Sequence, residues 1–456
     1  MPRSIALVFS LLLVLAAAPA HAVVYGPETF TLSNGMQVVL VPNHRAPVVS
    51  HMVWYKIGSA DETPGKSGIA HFLEHLMFKG TPRYPGTAIT DTVAVNGGNQ
   101  NAMTSYDYTA YYQNIAADRL PLVMDIEADR MRNLVLSEED VKTEREVVIE
   151  ERRQRTDNSP GALLGERVNA ALWGTNHYSI PIIGWQAEMN ELSRDDAFNV
   201  YKAYYAPHNA ILVVTGDITM DKFRPLVEKY YGAIPKTGEY KPRKRSTFLQ
   251  PRVDTQITMR HERVGQPQWS RYIIAPSYSV GDRADVHALE IFAEIAGGGA
   301  TSKLYRELVV NQKIAASFGT GYGADAVSYG TFYISMTPSP GVTIEQAEAA
   351  YTKAMDALLK DGITDADVAR AKGRMQARLA YAKESPFSVA NALGAALAQD
   401  QTIEDIESWP EKIAAVTTDQ VRSAARKLFT QYSSATGILL PPLPPAGAQA
   451  ASAKGN

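Results

Sequence analysis

The chain has 456 residues, 45% hydrophobic and 20% charged, an ordinary globular mixture long enough for two or more domains. A net charge of −3, with both signs interspersed, gives no electrostatic reason to expect nucleic acid or an anionic membrane as partner. The absence of cysteine excludes disulfides, a thiol nucleophile and sulfur-ligated metal, so a metal site here must use nitrogen and oxygen donors.

Residues 1–22 read as an export signal: Arg3 gives a positive start, residues 5–18 are almost entirely apolar, and Ala20-His21-Ala22 offers small residues for cleavage. The run is shorter than the roughly 20 residues of a membrane span, and no later stretch is long and apolar enough to replace it. The expectation is a mature, periplasmic chain with no membrane span.

A hairpin follows over residues 30–41, turning at Asn34-Gly35, and then a strand over 47–56. Helical patterns cover 67–79, with Ser67 placed to cap, and 87–95; strands follow at 101–105 and 108–115. Further helices are expected at 119–133, 137–155 and 194–205, then a strand at 210–215. Residues 235–252 hold three prolines and a cluster of cations (Lys236, Lys241, Arg243, Lys244, Arg245), the signature of a solvated linker.

Beyond it the pattern restarts. Strands at 255–260 and 270–275, a helix at 286–296, strands at 316–322 and 330–337, helices at 344–359 and 365–382 and a strand at 435–440 repeat the earlier order. The chain therefore reads as a duplicated α+β protein: an N-terminal domain over 23–234, a homologous C-terminal domain over 253–440, and a Pro/Ala-rich tail over 441–456. His71-x-x-Glu74 in the first half is echoed by His287-x-x-Glu290 in the second, where Ile291 replaces the next histidine.

The chemistry concentrates in His71-Phe72-Leu73-Glu74-His75. Residues four apart share a helix face, so His71 and His75 can offer two imidazoles to one ion. Glu74 borders that face and can reach a metal-activated water as general base without being a ligand. A catalytic zinc usually has three protein ligands. The acidic helix 137–155 offers Glu138, Glu139, Glu144, Glu146, Glu150 and Glu151, and spacing alone leaves the choice among them open.

This inverted H-x-x-E-H motif, followed by Glu144-Arg145-Glu146-Val147-Val148-Ile149-Glu150-Glu151, resembles the pitrilysin, insulin-degrading enzyme and mitochondrial processing peptidase family over roughly residues 28–440. The resemblance implies two homologous domains of mixed, mainly antiparallel sheet with helices packed on one face, forming half of a peptidase chamber. It implies one zinc ion per chain, held by His71, His75 and Glu151, with Glu144 supporting the catalytic site from behind. Asn101-Ala102-Met103-Thr104 resembles the family's edge strand, onto which a peptide substrate adds through main-chain hydrogen bonds. The substrate-contacting arginine and tyrosine of the family's second half are replaced by Val309 and Ala316. That departure implies a homologous partner subunit supplying the pair, or a homodimer that clamps substrate otherwise. The alternative to a zinc metalloendopeptidase is a non-catalytic binding or assembly subunit of the same fold.

Overall fold

Alternate residues of a strand face opposite sides of its sheet, and the strands of the first half are apolar on both sides. Val38, Leu40, Val53 and Leu212 are buried on one side; Val39, Val41, Trp54 and Val213 are buried on the other. Such strands need cover on both faces. The computed structural model, which describes residues 24–236, 243, 245 and 251–443, shows where the cover comes from. The stretch read as an export signal, most of the linker and the end of the tail lie outside the described residues.

The first sheet has the order β1-β2-β6-β3-β5-β4. Its strands are β1 (Glu28–Thr31), β2 (Gln37–Pro42), β3 (Val48–Tyr55), β4 (Asn99–Thr104), β5 (Thr109–Ala116) and β6 (Ala210–Gly216). β2 and β6 run parallel; every other neighbouring pair is antiparallel. One face carries α1 (Ile69–Leu76), α2 (Ala88–Val95), α3 (Leu120–Asn133) and α4 (Glu138–Arg152), together with the helices Arg194–Tyr204 and Met220–Tyr230.

The second sheet has the order β7-β11-β8-β10-β9, from β7 (Asp254–Arg260), β8 (Gln268–Ala275), β9 (Ala315–Gly323), β10 (Gly330–Pro338) and β11 (Ser434–Leu440). Without β1, the two orders correspond strand for strand, down to the single parallel pair, here β7 with β11. The duplication expected from the element order is therefore present in the topology.

The far face of each sheet is closed by a helix from the opposite half. Val389, Ala390, Leu393 and Leu397 of the helix Pro386–Ala398 pack on Val39, Met52, Trp54 and Val213 of the first sheet. In return, α5 (Pro160–Trp173) lays Leu164, Val168 and Leu172 on Ile274, Ala435 and Leu439 of the second. The contact is tight enough to require glycine: a Cβ on Gly394 would come 2.1 Å from the indole of Trp54.

The structure departs from the sequence reading at the linker. The side chains of Arg243 and Arg245 are buried rather than solvated. Arg245 bridges Asp61 and Asp107 at 2.7 and 3.0 Å, and Arg243 reaches the backbone oxygens of Asp107 and Ala398. Buried guanidinium groups need such partners, and proline-rich composition carries no sign of them.

Candidate metal centre and its relatives

α1 carries the central motif. Ile69, Phe72, Leu73 and Leu76 anchor it in the core of the first half. Its entry residue is not Ser67, as the sequence reading has it, but Gly68 at φ +85°, where a Cβ would meet the Ile183 carbonyl oxygen at 2.7 Å. Ser67 instead accepts a hydrogen bond from the Trp185 backbone. The buried carboxylate of Glu62 performs the cap, accepting from the backbone N–H groups of Gly68 and Ala70 at 2.9 Å each. Helix N-terminal N–H groups lack partners within the helix, so one carboxylate taking two of them fixes where α1 begins.

α4 starts from a capping box between Ser137 and Asp140 and lies against α1. Glu144 and Glu151, two turns apart, straddle the His75 ring. Glu144 Oε1 lies 2.9 Å from Nδ1, and Glu151 Oε2 lies 3.2 Å from Nε2. The same Glu151 oxygen is 3.7 Å from His71 Nε2. Donor atoms of His71, His75 and Glu151 all fall within 4.8 Å of one another, the one such group of three among the described residues. Tetrahedral zinc, with bonds of about 2.0–2.1 Å, holds its ligand atoms roughly 3.4 Å apart, so this set of two imidazoles and one carboxylate fits that ion.

The other carboxylates of α4 point elsewhere. Glu138, Glu139 and Glu146 are exposed, and Glu150 pairs with Arg153 at the surface. Glu144 also forms an ion pair with Lys79, and Arg155 holds the outer oxygen of Glu151 at 2.7 Å.

Glu74, only 8% exposed, accepts a 2.5 Å hydrogen bond from the Thr104 hydroxyl. Thr104 ends β4, the edge strand of the sheet, which pairs only with β5. Asn101, Ala102, Met103 and Thr104 are thus all on this edge, and α1 lies beside it. The sequence reading includes Thr104 in the substrate strand but misses its contact with Glu74, and it misses Lys79 and Glu62. Lys79 stands one turn beyond His75, a visible hint; nothing local marks Glu62.

Burial, and then the neighbouring His75, pull His71 down to about 4. Burial also opposes charge on His75, but its hydrogen bonds to Glu144 and Glu151 outweigh that and carry it up to about 9. Glu151 is held below the usual carboxylate range, chiefly by His75. Burial raises Glu74, partly offset by the Thr104 hydrogen bond. Without an ion, the group therefore stores one proton on His75, leaves His71 neutral, and keeps Glu74 a stronger base than a surface glutamate.

In the second half the corresponding helix, Arg283–Gly297, carries His287 and Glu290. Ile291 cannot ligate, and Glu290 accepts from Tyr278 Oη at 3.0 Å and Trp409 Nε1 at 3.1 Å. Among the described residues, only the first half assembles a ligand set.

Two family descriptions match the chain: "Insulinase (Peptidase family M16)" over residues 37–185, and "Peptidase M16 inactive domain" over residues 191–375. Zinc protease PqqE of Helicobacter pylori is 31% identical over 438 residues, covering 95% of this chain and 97% of that protein. The chain belongs to peptidase family M16. "Uncharacterized zinc protease YmxG" of Bacillus subtilis is 26% identical across 89% of this chain and 96% of that one. A crystal structure of a protease from H. pylori superimposes with a TM-score of 0.83 at 28% identity, covering 91% of this chain and 99% of that one. The periplasmic protease PqqL of Escherichia coli shares the fold at 18% identity and TM-score 0.77; this M16 chain matches 49% of its length. The inactive-domain description falls mostly on the half where Ile291 interrupts the motif. Among the described residues, no helix is long and apolar enough to cross a membrane.

Proposed function

We propose that this M16 chain is a zinc metalloendopeptidase that hydrolyses peptides or unfolded polypeptides. The observation that carries the reading is convergence: donor atoms from α1 and α4 meet at one point, with a buried carboxylate beside them and an open strand edge within hydrogen-bond reach of it. His71, His75 and Glu151 hold one zinc ion per chain, and Glu144 fixes the His75 ring so that Nε2 faces the ion. When bound, zinc supplies the Lewis acidity that polarises a carbonyl and eases deprotonation of water. Glu74 accepts the proton of the attacking water and returns it to the leaving amine nitrogen, a task suited to a carboxylate whose proton affinity burial has raised. The substrate backbone adds to β4, aligning the scissile bond beside Glu74.

The leader over residues 1–22 delivers the chain to the periplasm. A homologous partner subunit, or a second copy of this chain, completes the substrate clamp that Val309 and Ala316 leave out. The same two residues favour the second reading, a non-catalytic assembly subunit.

Glu74→Gln tests the assignment. Zinc stays bound while peptide cleavage falls about 10²–10⁴-fold; His71→Ala and His75→Ala lose the metal itself. Wild-type cleavage by Glu74→Gln removes Glu74 from this role. Absence of cleavage by the zinc-loaded chain, alone and with whatever chain co-purifies, favours the assembly subunit.

A further inference from the structure

The turn between β4 and β5 is gripped from three directions. From the segment before α1, the backbone N–H groups of Ser59 and Ala60 donate to Ser105 O and Tyr106 O at 3.0 and 2.9 Å. Gly58 lies so close that a Cβ there would come 2.4 Å from both oxygens. From the inter-half segment, Arg245 donates to Asp107 and also pairs with Asp61, locking the turn to its neighbour. From the second half, the backbone N–H of Val327 donates to Asp107 Oδ2 at 3.1 Å, an oxygen that also accepts from Tyr178 Oη. Val327 lies between β9 and β10, the hairpin that corresponds to β4–β5 in the duplicated topology.

Asp107 is 1% exposed and lies three residues after Thr104. Two carboxylates sharing one guanidinium in a buried place leave a negative charge, offset by the Val327 and Tyr178 donors to Asp107 and by the Gly58 backbone N–H donating to Asp61 at 3.0 Å. Such a cluster is costly unless its geometry is kept, and it contributes no packing that an apolar side chain could not. Its position couples three separate segments to the end of β4, whose Thr104 hydrogen-bonds Glu74.

We propose that Asp107, clamped by Arg245, is a positioning residue for Glu74, acting through Thr104. It sets where β4 ends, hence where the Thr104 hydroxyl meets the Glu74 carboxylate, and it ties that point to the second half. The inference rests on the assignment of Glu74 as proton acceptor.

Asp107→Asn keeps the side-chain shape and removes the charge. In the zinc-loaded full chain in its native assembly, kcat for a quenched peptide falls about 10- to 100-fold with bound zinc unchanged. In a Thr104→Val background the same substitution has little further effect, because its route of action is already gone. Backbone amides of residues 104–109 exchange faster with solvent, whereas those of β1 and β2 do not change. Losses that simply multiply in the double variant, or a fall in melting temperature with kcat intact, overturn the proposal. If Asp107→Asn does not fold, Tyr178→Phe, which removes the hydroxyl donor to Asp107, is put through the same cycle and read the same way. Full activity of Glu74→Gln instead overturns the proton-acceptor assignment, and the exchange measurement separates the two failures.

Discussion

His75 has each ring nitrogen against a different carboxylate of the same helix, and this gives the metal-free protein a distinct pH response. Its folded value of about 9 lies above the unfolded value near 6.5. The stability it contributes is therefore complete below about 6.5 and lost as pH rises towards 9. His71, lowered to about 4, contributes in the opposite sense and only below about 6.5. A chelator-treated sample should thus lose melting temperature between pH 6.5 and 9, and the zinc-loaded protein should not, since a ligated ring has already given up its proton. Glu144→Gln should weaken zinc binding about 10- to 100-fold without abolishing it, as measured by competition with a chromophoric chelator. At this scale the sequence was partly legible. Four-residue spacing placed His71 and His75 together, and seven-residue spacing placed Glu144 and Glu151 on one face. Which face of α4 meets α1 depends on packing between distant segments, so the choice of Glu151 over Glu150 came from family resemblance.

The elements that hold these residues depend on contacts that local sequence shows unevenly. Ser137 caps α4 from the residue just before its first turn, but α1 takes its cap from Glu62, across a loop that the apparent cap Ser67 obscures. Glu62→Ala leaves two buried N–H groups without their acceptor and should cost about 1–3 kcal/mol in denaturant unfolding. Zinc affinity should fall with it, because the start of α1 sets the placement of His71. The two helices exchanged between the halves, both absent from the sequence reading, share a physical cause. α5 keeps a narrow stripe of Leu164, Val168 and Leu172 diluted by Gly161 and Gly165, and Pro386–Ala398 is nearly uniform in small apolar residues. Periodicity shows a helix with one wet face; a helix pressed between halves has little wet face to show. The strands, short apolar or alternating runs bounded by turn signals, were legible almost throughout.

Across the whole molecule, the exchange of helices makes each half incomplete by itself. Residues 24–236 alone would leave Val39, Met52, Trp54 and Val213 bare, so a chain cut there should bind hydrophobic dyes and aggregate, while the intact protein unfolds in a single transition. Leu393→Ala, although it lies in the second half, should destabilise the first by about 2–5 kcal/mol, visible as early exposure of Trp54 in its fluorescence. Duplication was readable from element order; the exchange was not, because it is a relation between surfaces some 200 residues apart.

That exchange also sets a schedule for biosynthesis. The helix that covers the first sheet leaves the ribosome roughly 180 residues after β6, a delay of about 10–40 s at ordinary elongation rates. Throughout it the nascent chain carries an uncovered β-surface that no later local folding can hide. A polypeptide made this way cannot finish its first half before the helix Pro386–Ala398 has been made.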